Sequence, residues 1–79
     1  MTINDIRSAM FNDGNMIYFS YNGKKCGVDI EGGIPSFKLQ AWCGSEIKYY
    51  NDFEKMASDE FFDGCSLNSL LDMVKICFE

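Results

Sequence analysis

Hydrophobic and polar positions alternate most regularly between Met16 and Ile30, on either side of an Asn22-Gly23 pair. Asn-Gly favours a two-residue type I′ turn, because both central positions of that turn need a positive φ. A turn at this pair sets Phe19 opposite Cys26 and brings one set of apolar side chains to a single face. The predicted apolar face holds Ile17, Phe19, Cys26, Val28 and Ile30. The pattern therefore predicts a β-hairpin with a defined register.

The residues before the hairpin have helical spacing, with apolar side chains at i, i+3 and i+7. This stripe consists of Ile3, Ile6 and Met10. Thr2 suits the N-cap position, and Asp5 suits the first turn of the helix. Helix-breaking residues at 12–15 follow. We therefore predict a short first helix from Ile3 to Phe11.

The residues after the hairpin predict further strands. Residues Glu31–Pro35 are typical of a flexible loop, and regular alternation from Ser36 to Cys43 then predicts a third strand. In that strand Trp42 lies on the face opposite the apolar residues. A turn and a short fourth strand, Ile47 to Tyr50, come next. The aromatic residues that either cover the second sheet face or stay exposed are Tyr18, Trp42, Tyr49 and Tyr50.

Residues 51–64 contain helix-favouring patterns that are separated by helix-breaking residues. Asn51 is the predicted N-cap of a short helix, and Glu54 completes a capping-box-like pair. We expect helical structure to restart at Ser58 and to bury Phe61-Phe62. Asp63-Gly64 then ends it, because Gly favours the conformation that terminates helices.

Ser66 is the predicted cap of a final amphipathic helix. Its apolar stripe consists of Leu67, Leu70, Leu71, Val74 and Phe78. Residues Val74 to Phe78 also alternate, so an edge strand is the alternative there. Residues 1–79 therefore predict one α+β domain, with an N-terminal helix, a three- to four-stranded antiparallel meander, and two short C-terminal helices packed on one sheet face.

Charge is unevenly distributed along the 79 residues, whose net charge is −5. Acidic and basic residues cancel over residues 1–50, so the excess lies in residues 51–79. An acidic chain repels phosphate backbones, which disfavours direct nucleic-acid binding and favours a basic protein partner. The sequence has neither a membrane-spanning apolar run nor a signal-like segment, so we expect no membrane association and a cytoplasmic location.

Catalytic and metal-binding signatures are absent from the sequence. It contains no histidine, which removes the commonest general base and metal ligand, and no phosphate-binding loop. The four cysteines lack the short spacing of zinc sites and a secretory context for disulfides. They are Cys26, Cys43, Cys65 and Cys77. We therefore expect reduced thiols, no cofactor and no enzymatic activity.

Carboxylates and aromatic residues occur together near the acidic end of the chain, a mixture that suits a surface for a basic partner. The candidate partner-binding residues are Asp52, Glu54, Asp59, Glu60, Asp63, Tyr49 and Tyr50. Scattered charges on a solvated helix face are the alternative interpretation of the same pattern.

Three motifs resemble a group of short uncharacterised proteins of gut Firmicutes and their phages or mobile elements. They are Tyr21–Gly27, Trp42–Gly44 and Phe61–Leu67. The resemblance covers residues 16 to 75 and implies no particular activity. Separately, Ile3-Asn4-Asp5 and the order of the elements are similar to small anti-CRISPR proteins that mimic DNA. That similarity implies surface carboxylates that occupy the groove where a type II effector reads its duplex.

Together these features predict a small acidic, non-enzymatic binding protein that inhibits or regulates a basic host protein, encoded by a phage or mobile element. One alternative is an oligomeric binder of a small metabolite or nucleotide signal, with a subunit-interface pocket lined by Trp42 and tyrosines. An accessory structural subunit is the other alternative.

Overall fold

The computed structural model describes residues 1–32 and 37–79 and has the predicted α+β architecture. Two short C-terminal helices and the N-terminal helix pack on an antiparallel sheet. The elements are α1 Ile3–Phe11, β1 Ile17–Tyr21, β2 Lys24–Gly32, β3 Phe37–Cys43, β4 Glu46–Tyr50, α2 Phe53–Ser58, α3 Leu67–Leu70 and β5 Cys77–Phe78. Over the described residues the sheet has five strands in the order β4-β3-β2-β1-β5.

The predicted hairpin is confirmed in both its turn and its register. Phe19 pairs with Cys26 across β1 and β2, as the Asn-Gly turn requires. The φ angles are 51° at Asn22 and 75° at Gly23, which is the positive pair that a type I′ turn needs. Two residues therefore define the position of every side chain on these strands.

The predicted first helix is confirmed at both ends. The hydroxyl of Thr2 accepts the backbone N–H of Asp5 at 3.3 Å, and the Asp5 carboxylate accepts the N–H of Thr2 at 2.8 Å. This reciprocal capping box satisfies two free donors of the first turn. The bond from the Thr2 backbone also holds the pKa of Asp5 below its usual value.

One face of the sheet, here called the covered face, packs against the helices and the loop between α2 and α3. Its buried side chains are Ile17, Phe19, Cys26, Val28, Leu39, Ala41 and Cys43. The residues packed on them are Ile6, Met10, Phe53, Met56, Ala57, Phe62, Leu67 and Leu70. Alternate strand residues point to the opposite face, here called the open face, where Tyr18 and Tyr49 are exposed.

The segment from Ser58 to Phe62 does not restart a helix as predicted. Helix α2 begins after Asp52, which replaces Asn51 as the N-cap, and it ends at Ser58. Asp59 is extended, with ψ 134°, because tertiary hydrogen bonds hold its side chain. Phe62 is nevertheless fully buried, as predicted, from a turn in which it bridges Cys65.

The final helix is much shorter than predicted, and the edge-strand alternative describes its far end. Helix α3 stops at Leu70, and the chain then turns into β5. Backbone bonds between Met16 and Glu79, at 2.9 and 3.0 Å, extend the pairing of β5 with β1. This pairing satisfies the beginning of the outer edge of β1, from Met16 to Tyr18, which a helix could not do.

The prediction of a loop at 31–35 is wrong for Glu31 and Gly32, which belong to β2. The remainder of that loop, together with Ser36, lies outside the described residues. Among the helices that the structure describes, none is both long and apolar enough to cross a membrane.

Candidate functional site

Two of the predicted partner-binding acids lie on α2. The Asp52 carboxylate accepts the backbone N–H of Lys55 at 2.9 Å and so caps the helix. Glu54 forms an ion pair with Arg7 of α1 at 3.3 Å, although 79% of the Glu54 side chain is exposed. An exposed pair of this kind contributes little to stability.

Asp59 is held against the edge of the sheet by β4. Its carboxylate accepts the ammonium of Lys48 at 2.7 Å and the hydroxyl of Tyr50 at 2.6 Å. These two bonds hold the pKa of Asp59 below its usual value. Burial and the bond to Asp59 raise the pKa of Tyr50. Tyr50 and Asp59 therefore connect β4 to the end of α2.

Asp63 is connected in the same way to the hairpin turn. Its carboxylate accepts the side-chain amide of Asn22 at 2.8 Å and the ammonium of Lys24 at 2.9 Å. These bonds lower the pKa of Asp63, and the same ion pair raises the pKa of Lys24. The turn residues that set the hairpin register thus also anchor the loop after α2.

The ion pairs found in the described residues each join an acid of the last third to a base of residues 1–50. They are Glu54–Arg7, Asp59–Lys48 and Asp63–Lys24. The charge asymmetry of the sequence is therefore partly cancelled in space. Glu60 is exposed, and Tyr49 lies on the open face, where its hydroxyl bonds to Gln40 at 3.2 Å. The predicted residues do not form one continuous surface, because Tyr49 and Tyr50 face opposite sides of the sheet.

The open face carries a row of cross-strand neighbours that spans the whole sheet. Register places one residue from each strand in this row: Cys77, Tyr18, Gly27, Trp42 and Ile47. Ile47 is 56% exposed and Tyr18 is 40% exposed. Large side chains that no helix covers therefore lie side by side across the open face.

Gly27 gives this row its shape. A Cβ atom at Gly27 would overlap Cζ2 of Trp42 and would lie 2.7 Å from its Cη2, so the six-membered ring of the indole lies over this glycine. It would also lie 2.5 Å from the carbonyl oxygen of Ile17 on the neighbouring strand. Any side chain at position 27 would therefore displace the indole from the sheet.

A cleft of about 580 Å³ opens beside this row and is here called the open-face cleft. Its lining includes Tyr18, Ser20, Lys25, Trp42, Lys75 and Cys77. The volume falls within the range of about 300–1,000 Å³ that is usual for small-molecule sites. Among the residues that the structure describes, the lining contains two lysines and no carboxylate. The open-face cleft is thus a locally basic, aromatic site on an acidic protein.

The sequence predicted part of this site. Strand alternation placed Trp42 away from the apolar face, and one alternative hypothesis was a pocket lined by Trp42 and tyrosines. The structure forms its cleft within one chain, using Tyr18 but not Tyr49 or Tyr50. Sequence reasoning missed Lys75, whose position depends on β5. A glycine inside a strand, Gly27, was the available signal of close approach.

Two of the four cysteines are buried on the covered face, and the other two are only partly buried. The Sγ atoms of Cys26 and Cys43 lie 3.3 Å apart at facing positions of β2 and β3, and both thiols are free and buried. Burial and the contact with Cys43 raise the pKa of Cys26 to about 12. Within residues 1–32 and 37–79, no group of three or more Cys, Asp or Glu side chains is arranged to hold a metal ion.

Comparisons of the chain with protein-family models, with curated proteins and with solved structures find no match. The resemblance to short proteins of gut Firmicutes and the similarity to DNA-mimicking inhibitors therefore stay predictions.

Proposed function

We propose that this chain is a non-enzymatic binding protein that holds a small molecule in the open-face cleft. The observation that carries this proposal is the cleft itself, formed by Tyr18 and Trp42 on the sheet face that the helices leave uncovered. Large aromatic side chains are common in ligand sites because they bury much apolar area with little loss of conformational freedom. The covered face already supplies the core, so packing does not require these aromatics.

The proposal is tested by incubating the purified protein with a total metabolite extract and identifying retained compounds by native mass spectrometry. We expect at least one compound to be retained by the wild type and lost from the Tyr18→Ala/Trp42→Ala double variant. Tyr49→Ala is the matched control, because Tyr49 is an aromatic residue on the same face but outside the cleft. Circular dichroism establishes that each variant is folded.

Two results would overturn the proposal. One is that the folded wild type retains no compound, and the other is that the double variant retains the same compounds as the wild type. Loss of the ligand from Tyr49→Ala as well would place the site elsewhere on the sheet.

The second candidate is binding to a basic protein, in the manner of a cytoplasmic inhibitor encoded by a phage or mobile element. The net charge of −5 and the exposure of Glu54 and Glu60 favour it. Asp59 and Asp63 are poor choices for a test, because their carboxylates already bind groups of the same chain. A Glu54→Gln/Glu60→Gln variant should instead slow association with such a partner and weaken its salt dependence. Unchanged association kinetics at low and high salt would exclude this candidate.

A further inference from the structure

We infer that the ligand of the open-face cleft is a planar aromatic anion of nucleoside-monophosphate size, a conclusion that rests on the proposed function. The juxtaposition of Trp42 and Tyr18 with Lys25 and Lys75 in the lining of one cleft leads to this assignment. The aromatic residues bind the ring, and the lysines bind the negatively charged group.

The shape of the row supports a flat ligand. Tyr18 and Trp42 lie on either side of Gly27, on strands two places apart in the sheet. Because position 27 has no side chain, the indole of Trp42 lies over the backbone there and presents a flat apolar surface. A side chain at this position would interrupt that surface. Aromatic rings, such as those of nucleic-acid bases, stack favourably on such a surface.

The charge of the lining supports an anion. In an acidic protein, Arg7, Lys24 and Lys48 each pair with a carboxylate. Lys25 and Lys75 are exposed at the cleft, and neither has an ion pair with any residue that the structure describes. The hydroxyl of Ser20 adds a neutral hydrogen-bonding group to the lining. Two ammonium groups without a carboxylate beside them suit a phosphate, because charge-assisted hydrogen bonds are the stronger kind.

The size of the cleft and the total charge favour a single nucleotide over a nucleic-acid strand. A volume of about 580 Å³ accommodates one small molecule. A nucleic-acid strand would also bring further phosphates close to a protein of net charge −5, and each phosphate would be repelled. The open-face cleft therefore matches a ligand that has one ring and one charged group.

Trp42 is the chain's single tryptophan, so its fluorescence reports directly on this site. The four ribonucleoside 5′-monophosphates, and separately the four uncharged nucleosides, are titrated into the protein. We expect saturable quenching by at least one monophosphate, with affinity about tenfold or more above that of its own nucleoside. Lys25→Gln/Lys75→Gln should remove that difference while leaving nucleoside affinity unchanged. Lys38→Gln is the control, because Lys38 is an exposed lysine on the same face outside the cleft.

The ligand class is wrong if no monophosphate quenches Trp42 at millimolar concentration, if each nucleoside binds as tightly as its monophosphate, or if the lysine variant keeps the difference. If a short single-stranded RNA binds more tightly than any monophosphate, the cleft is part of a surface for single-stranded nucleic acid, and the inference is overturned. Retention of a neutral metabolite, lost from the Tyr18→Ala/Trp42→Ala variant, would contradict the ligand class and leave the proposed function intact. Retention of nothing would contradict both.

Discussion

The covered face and the open face belong to the same strands, but different demands determine their residues. On the covered face, Leu39 and Ala41 are completely buried, and their apolar character follows from packing. On the open face, Trp42 directly follows Ala41 in sequence, yet none of the described helices packs on it. A large side chain that the core does not need points to a role outside the core. This comparison is the reason why we propose a function for the face that contributes least to folding.

The largest difference between the faces should appear when one aromatic residue is truncated on each side. Phe62→Ala should lower the free energy of unfolding by about 3–5 kcal/mol, because Phe62 is fully buried and packs 5.4 Å from the ring of Phe19. Tyr49→Ala on the open face should change it by no more than about 0.5 kcal/mol. Urea denaturation measures both values. Equal losses would show that the open face is also part of the core.

A smaller effect is expected where the open face itself is tightly packed. Gly27→Ala should lower the free energy of unfolding by about 1–3 kcal/mol, because the new methyl group meets the Trp42 ring and the Ile17 carbonyl. The displaced indole should also shift its fluorescence emission. Ser20→Ala, in the next row of the same face, should change neither quantity. Wild-type emission and stability in Gly27→Ala would show that the indole does not lie over this glycine.

A still smaller effect should come from Asp63, whose carboxylate connects the hairpin turn to the loop after α2. Because the pKa of Asp63 is lowered on folding, its contribution to stability is complete above the ordinary value of 3.8 and disappears as pH falls through the lowered pKa. Asp63→Asn should therefore be less stable than the wild type at neutral pH, with a difference that shrinks under acid conditions. Thermal melts across this range measure the difference. Glu60→Gln is the exposed control, and a constant difference for Asp63→Asn would exclude a role for its charge.

Cysteines on the two faces should also react with an alkylating reagent at different rates. This comparison requires no change in the stability of the protein. Cys26 should resist brief alkylation of the native protein, because its thiol is buried and its raised pKa of about 12 keeps it protonated. Cys77 is only partly buried and should react faster than Cys26. Peptide mass spectrometry after iodoacetamide treatment gives the order. Labelling of both cysteines at one rate in folded protein would contradict the burial of Cys26.

The parts of the fold that the sequence predicted correctly are those that local residues determine. Asn22-Gly23 sets a turn by itself, and Thr2 with Asp5 caps a helix by itself, so neither needs distant information. The segment after Ser58 depends on distant partners instead. Asp59 is extended because it binds Lys48, and no local pattern records that contact.

The same distinction applies to the candidate site. Strand parity predicted the side of the sheet on which Trp42 lies, because alternation is a local property. The acidic surface predicted from composition stays a prediction, but several of its carboxylates bind bases far away in sequence, and no local pattern records those contacts. Lys75 reaches the cleft only because β5 pairs with β1, whereas the apolar spacing from Leu67 onward fits a helix equally well.

The position of β5 has a consequence for the order of events in folding and for local opening. Strands β1 to β4 pair with their neighbours in sequence, whereas β5 pairs with β1 from about sixty residues away, which makes its closure entropically expensive. This two-residue strand should therefore form last and exchange its amide hydrogens first. Since Cys77 belongs to both β5 and the cleft, a bound ligand should slow this exchange. The rate of hydrogen exchange in β5 would then report whether the cleft is occupied.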